Sequence, residues 1–192
     1  MTDIIEKTRE FVLESFEESG MQKIIANGKA RYLLQAQEYV VELSERGDPT
    51  PLELAALLHG IEDAFEKRLD NRLKKLKPRE RSAEIAKRFL KKERVDGKLI
   101  KKVQRLILLV DKGKTKESQL LREAAALSFL QNTPPVWFEE RLWEGEKREK
   151  IIKDLKKEIK KRYSEVKSKR GKLIAKPFYQ RWLEWIEKKE ES

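Results

Sequence analysis

The chain has 192 residues, 41% of them charged and 39% hydrophobic, with one histidine, no cysteine and a formal net charge of +11. Such a length suits one domain, or a domain with an appendage, and can bury a core unaided. The lack of cysteine excludes disulfides, thiolate metal sites and thiol catalysis, while the positive balance favours polyanionic partners.

Lysine and glutamate dominate the charged residues, a pattern of long amphipathic helices with salt-laced outer faces that is also enriched in hyperthermophile proteins. Acids run through "MTDIIEKTREFVLESF", which has no apolar core of signal-peptide length. The longest apolar run, "LILLV" at 106–110, is far short of a membrane span. A soluble, cytoplasmic protein is the expectation.

In chain order, Ile4, Ile5, Phe11, Val12 and Phe16 predict an amphipathic first helix closed near Gly20. A second helix is predicted from about Ala30 to Glu45, with Tyr32, Leu33, Ala36, Tyr39, Val40 and Leu43 on one side. "RGDPTP" then breaks the chain, and Thr50-Pro51 starts a third helix expected to reach about Arg68. Its first half is apolar almost all round, so it belongs at the centre of a bundle.

The basic connection "RLDNRLKKLKPRER" leads to Pro78, which opens a fourth helix bearing Ile85, Ala86, Phe89 and Leu90. A fifth runs from about Lys98 to Val110, and a sixth, alanine-rich, from Ser118 to about Gln131, where "NTPP" ends it. Beyond Trp137 the chain is strongly charged, with a narrow stripe of Ile151, Ile152, Leu155, Ile159 and Tyr163 and a closing aromatic cluster. No β-alternation, internal repeat or sustained heptad is present. The predicted fold is all-α, with a helical domain over residues 1–135 and a charged helical extension over 136–192 packing on it.

The stretch "LELAALLHGIEDAF" holds the only histidine, His59. On one continuous helix Glu62 and Asp63 would lie about 60° and 40° around from it, on the same face. With Glu123 from another helix, His59, Glu62 and Asp63 could form a small N/O site for one divalent metal, the core set being His59, Asp63 and Glu123. The competing expectation is that Glu62 and Asp63 pair with Lys67, Arg68 or Arg31, as carboxylates in so basic a chain do. No glycine loop of phosphate-cradling spacing and no serine elbow is present; "DKGKTKES" has the wrong spacing.

The succession "LELAALLHG", "RSAEIAKRFL", "KLIKKVQRLILLV" and "QLLREAAALSFL" resembles the HD-domain superfamily over roughly residues 29–130. The resemblance implies a helical fold with one or two metals at the bundle centre and phosphohydrolase or phosphodiesterase chemistry. It also implies a first histidine at Arg31, a His-Asp pair at His59-Gly60, a histidine at Ser82, histidines near Leu109 and Val110, and a late aspartate at Glu123 or Ala125. Only His59 and Glu123 retain metal-binding side chains, so a degenerate centre is expected, with Arg31, His59, Glu62, Asp63 and Glu123 around a vestigial pocket and no resident cofactor. Arg31, a fixed cation in such a pocket, would need one of those acids beside it.

Two basic stretches are candidates for nucleic-acid or phosphate binding. The first carries Arg72, Lys74, Lys75, Lys77 and Arg79. In the second, Lys167, Lys169, Arg170, Lys172, Lys176 and Arg181 interleave with Phe178, Tyr179, Trp182 and Trp185, pairing phosphate-holding cations with rings able to stack on bases. Spacings of four and three between Phe178, Trp182 and Trp185 equally describe one helical face docked on the bundle. The sequence thus points to a non-catalytic protein binding RNA, DNA or a nucleotide phosphate, with a one-metal phosphohydrolase and a protein-interaction scaffold as alternatives.

Overall fold

The computed structural model describes residues 3–44 and 47–190, within which every regular element is helical. Helix α1 (Ile4–Glu17) starts at Asp3, whose carboxylate accepts the Ile5 N–H at 3.3 Å. Gly20 follows its end at φ +70°, a left-handed turn that glycine adopts without strain.

Helix α2 (Lys23–Leu43) begins well before the predicted Ala30. Gly28 lies inside it because α6 crosses close by: a Cβ there would sit 2.6 Å from both Val136 γ-methyls. The predicted end at Glu45 falls outside the described residues.

Helix α3 (Thr50–Leu58) occupies the centre, with Leu54, Ala55, Ala56, Leu57 and Leu58 fully buried among α1, α2, α5 and α6. It does not run on to Arg68 as predicted. The α-helix stops at Leu58, and a 3-10 segment (Ile61–Arg68) follows. The His59 carbonyl is claimed by the Arg79 guanidinium, so the chain turns at Gly60 and tightens.

A short 3-10 turn (Leu73–Lys75) leads to α4 (Pro78–Lys92), which opens at Pro78 as predicted, and to α5 (Gly97–Leu109), close to its predicted bounds. Helix α6 (Lys116–Trp143) overturns another expectation, since it continues straight through Pro134 and Pro135. Those prolines leave the carbonyls of Leu130 and Gln131 without their i+4 donors. Trp182 Nε1 donates to the first at 2.6 Å and Arg181 Nη2 to the second at 2.7 Å.

Helices α7 (Arg148–Glu165) and α8 (Lys169–Glu190) pack back on α6. The division expected at residue 135 falls within α6, and Ile151, Leu155, Ile159, Ala175 and Ile186 are fully buried in the same apolar cluster as α3. No helix among the described residues is long and apolar enough to cross a membrane.

Candidate functional site

His59, at the C-terminal end of α3, is fully buried. Its Nδ1 lies 2.8 Å from the Ala56 carbonyl, which can only accept, so Nδ1 carries the proton. Nε2 therefore accepts from the Tyr32 hydroxyl, 3.0 Å away on α2. Burial, reinforced by the charge of Arg79, holds the ring far below its ordinary value, at about 3. His59 is thus a neutral imidazole with both nitrogens engaged.

In front of Tyr32 opens a cleft of about 840 Å3, bounded by α2, the start of α4, the segment after α5, α6 and α7. Arg79 crosses its floor. Its Nε and Nη2 meet the Asp111 carboxylate at 2.8 and 3.1 Å, and its Nη1 donates to the His59 carbonyl. Burial would raise the Asp111 carboxyl, but hydrogen bonds and charge from Arg79 outweigh it and hold the group below the usual carboxylate range.

Glu62 is buried in the same cleft and accepts a hydrogen bond from Ser82 Oγ. Burial first, then the neighbouring charge of Asp63, pushes its carboxyl up to about 7. Asp63 itself pairs with Lys29 at 2.8 Å, and Lys29 also meets Glu140 at 3.0 Å. On the opposite wall Arg162 donates from Nε to Glu158 at 2.6 Å and lies 5.2 Å from the Phe129 ring centre.

Of the predicted pocket residues, Glu62 and Asp63 line the cleft and His59 lies beneath its floor. Arg31 does not join them. It is exposed, and the acids expected to neutralise it are held by Ser82, Lys29 and Ser168 instead. The cleft face of α2 carries Lys29 and Tyr32, three residues apart. Their helical phase with Leu33, Ala36 and Val40 was the available signal, and it excludes Arg31.

Glu123 is also elsewhere, buried at the start of α8, where it accepts from the backbone N–H groups of Lys167 and Ser168 at 3.2 Å. The set His59, Asp63 and Glu123 is therefore not assembled, and no three His, Asp or Glu side chains are placed to hold one metal among the described residues. Ser82 and Val110 are buried where the resemblance implied histidines. Asp111, one residue further on, is the side chain that reaches the cleft.

Sequence reasoning missed Arg162 and Glu158, because nothing local marks the charged α7 as a wall of this cleft, and Glu140 and Trp137, because α6 was expected to end before them.

Among the basic residues, Arg72, Lys74, Lys75 and Lys77 are exposed, with Lys77 at the cleft rim, whereas Arg79 is half-buried inside it. In the C-terminal stretch Lys167, Lys169 and Lys176 are exposed, Arg170 meets Glu42 at 3.2 Å and Lys172 donates to the Tyr163 carbonyl at 2.7 Å. The aromatic cluster is a docking face. Trp182 is buried, Trp185 packs edge-on to Phe138 at 5.5 Å, and Tyr179 stacks on Tyr163 at 4.1 Å.

Comparison with known protein families, with curated proteins and with solved structures gives no match.

Proposed function

We propose that this chain is an HD-like helical protein that has lost its metal centre and acts by binding a phosphate-bearing partner, without catalysis. The observation that carries the reading is Arg79, a guanidinium fixed between Asp111 and the His59 carbonyl at the floor of the cleft. A fixed cation beside an imidazole whose two nitrogens are already engaged suits an anion far better than a metal ion. Exposed Lys77, which lines the cleft, adds a second cation at its rim.

One observation favours a second reading. Glu62, with a carboxyl near 7 beside Asp63 in a walled cleft, has the poise of a general acid or base. A divergent phosphohydrolase would use it.

Two measurements on the purified protein separate these readings. Fluorescence anisotropy with a single-stranded oligonucleotide should show affinity falling as a power of salt concentration between about 50 and 200 mM, the mark of phosphate contacts. Elemental analysis of protein prepared without chelator should show no stoichiometric divalent transition metal. One equivalent that disappears in His59→Ala, together with phosphatase activity lost in Glu62→Gln, would overturn the binding reading in favour of the enzyme. Absence of any phosphate-dependent binding would favour a protein-interaction scaffold.

A further inference from the structure

Within that reading, on which this step rests, we infer that the cleft holds the terminal phosphate of a small phosphomonoester, gripped between Arg79 and Arg162 at the first turn of α4. Both guanidiniums line the same cleft.

Neither guanidinium has all five of its N–H groups engaged. Asp111 and the His59 carbonyl take Nε, one Nη2 hydrogen and one Nη1 hydrogen of Arg79, leaving two N–H groups. Glu158 takes Nε of Arg162, Glu165 lies 3.5 Å from Nη1, and Nη2 has no partner among the described residues. A tetrahedral oxyanion with several lone pairs satisfies such partly engaged guanidiniums better than water does.

Helix α4 adds a third contribution. Its opening residues Pro78 and Arg79 line the cleft; Pro78 has no N–H and Glu80 takes that of Lys77 at 3.0 Å, which leaves the Arg79 N–H and the positive end of the macrodipole. Exposed Lys112 also lines the cleft and adds a further cation.

The shape selects a small ligand over a strand. A volume of about 840 Å3 matches one small organic molecule. Tyr32, backed by His59, closes the floor beneath it. Val136 and Trp137 line the same cleft and offer an apolar or aromatic body a surface beside the phosphate.

Titration calorimetry on the full chain tests this with four probes: 1-naphthyl phosphate, inorganic phosphate, 1-naphthol and an oligonucleotide without terminal phosphates. Naphthyl phosphate should bind at one site, about tenfold or more tighter than inorganic phosphate, with naphthol silent. Arg162→Gln should weaken naphthyl phosphate by about tenfold or more. Lys112→Ala, an exposed change that leaves the fold alone, should weaken it by a smaller factor, and Lys169→Ala should change nothing.

Trp137→Ala should erase the advantage of naphthyl phosphate over phosphate while leaving phosphate binding intact. No saturable binding of naphthyl phosphate, or binding indifferent to both Arg162→Gln and Lys112→Ala, overturns the assignment. If the oligonucleotide alone binds, with salt dependence and regardless of Arg162, the broader phosphate-binding reading survives and this site does not. Silence from all four probes removes both.

Discussion

Trp182 donates its indole N–H to the carbonyl of Leu130, the acceptor that Pro134 leaves without its helical partner. The double proline read from sequence as a helix terminus is therefore an internal feature of α6, made tolerable by a side chain from α8. The two prolines and the last helix are one structural unit.

Trp182→Phe keeps most of the apolar contact and removes the donor. It should destabilise the fold by about 1–3 kcal/mol, because a buried carbonyl loses its partner. Pro134→Ala restores a backbone N–H at that position. In the Trp182→Phe background it should recover part of the loss, whereas in wild type it has no free acceptor to gain. A double-mutant cycle by urea denaturation measures the coupling, and additivity of the two changes would refute it.

His59 and Glu62 pull stability in opposite directions with pH. Glu62 holds its proton more tightly folded than unfolded, about 7 against an ordinary 4.5. Its contribution is full below pH 4.5 and is lost as pH rises to 7, by about 3 kcal/mol. His59, at about 3 against 6.5, contributes fully above pH 6.5 and loses that contribution as pH falls toward 3. The two partly cancel between pH 4.5 and 6.5. Glu62→Gln keeps the Ser82 contact and removes the carboxylate, so stability should then climb through that window. Above pH 7 it should exceed wild type by up to about 3 kcal/mol. Denaturation midpoints across pH 4–8 check both signs.

Arg31 and Arg79 should respond very differently to truncation. Arg31→Ala changes an exposed side chain and should cost under about 1 kcal/mol. Arg79→Ala strips the His59 carbonyl and Asp111 of their donor. Because Asp111 reaches water, the cost should be about 1–3 kcal/mol, short of the loss for a fully buried pair. Equal effects on melting would show that the charged floor of the cleft contributes nothing special.

Helix identity was legible wherever apolar spacing ran unbroken, as in α4 and α5, whose packing follows their own periodicity. It failed where a partner distant in sequence supplied the missing physics. Gly28 and Pro134 look like breakers until Val136 and Trp182 are placed against them, and the 3-10 turn after His59 depends on a guanidinium 20 residues away. The cleft shows the same division. His59, Glu62, Asp63 and Arg79 were visible because they cluster in one region of sequence. Arg31 was misassigned by two residues against Lys29, although the phase of Leu33, Ala36 and Val40 decides between them. Arg162 carried no local mark at all.

Glu123 was expected at a metal site and instead anchors the start of α8. Its buried carboxylate accepts the N–H groups of Lys167 and Ser168 at 3.2 Å and the Ser168 hydroxyl, placing a negative charge where a helix start favours one. Gly171 leaves room for it, since a Cβ there would overlap the carboxylate and meet a Val166 methyl at 2.9 Å. Glu123→Ala should cost about 2–4 kcal/mol through the unpaired buried donors, with Trp182 and Trp185 reporting in fluorescence as α8 loosens. Gly171→Ala should also destabilise, because the added methyl must displace that carboxylate. Once Glu123 is alanine the methyl has fewer atoms to displace, so the double variant should lose less than the sum of the singles. Denaturation of all four proteins decides it: additivity within about 0.5 kcal/mol would mean that the two residues do not share the space.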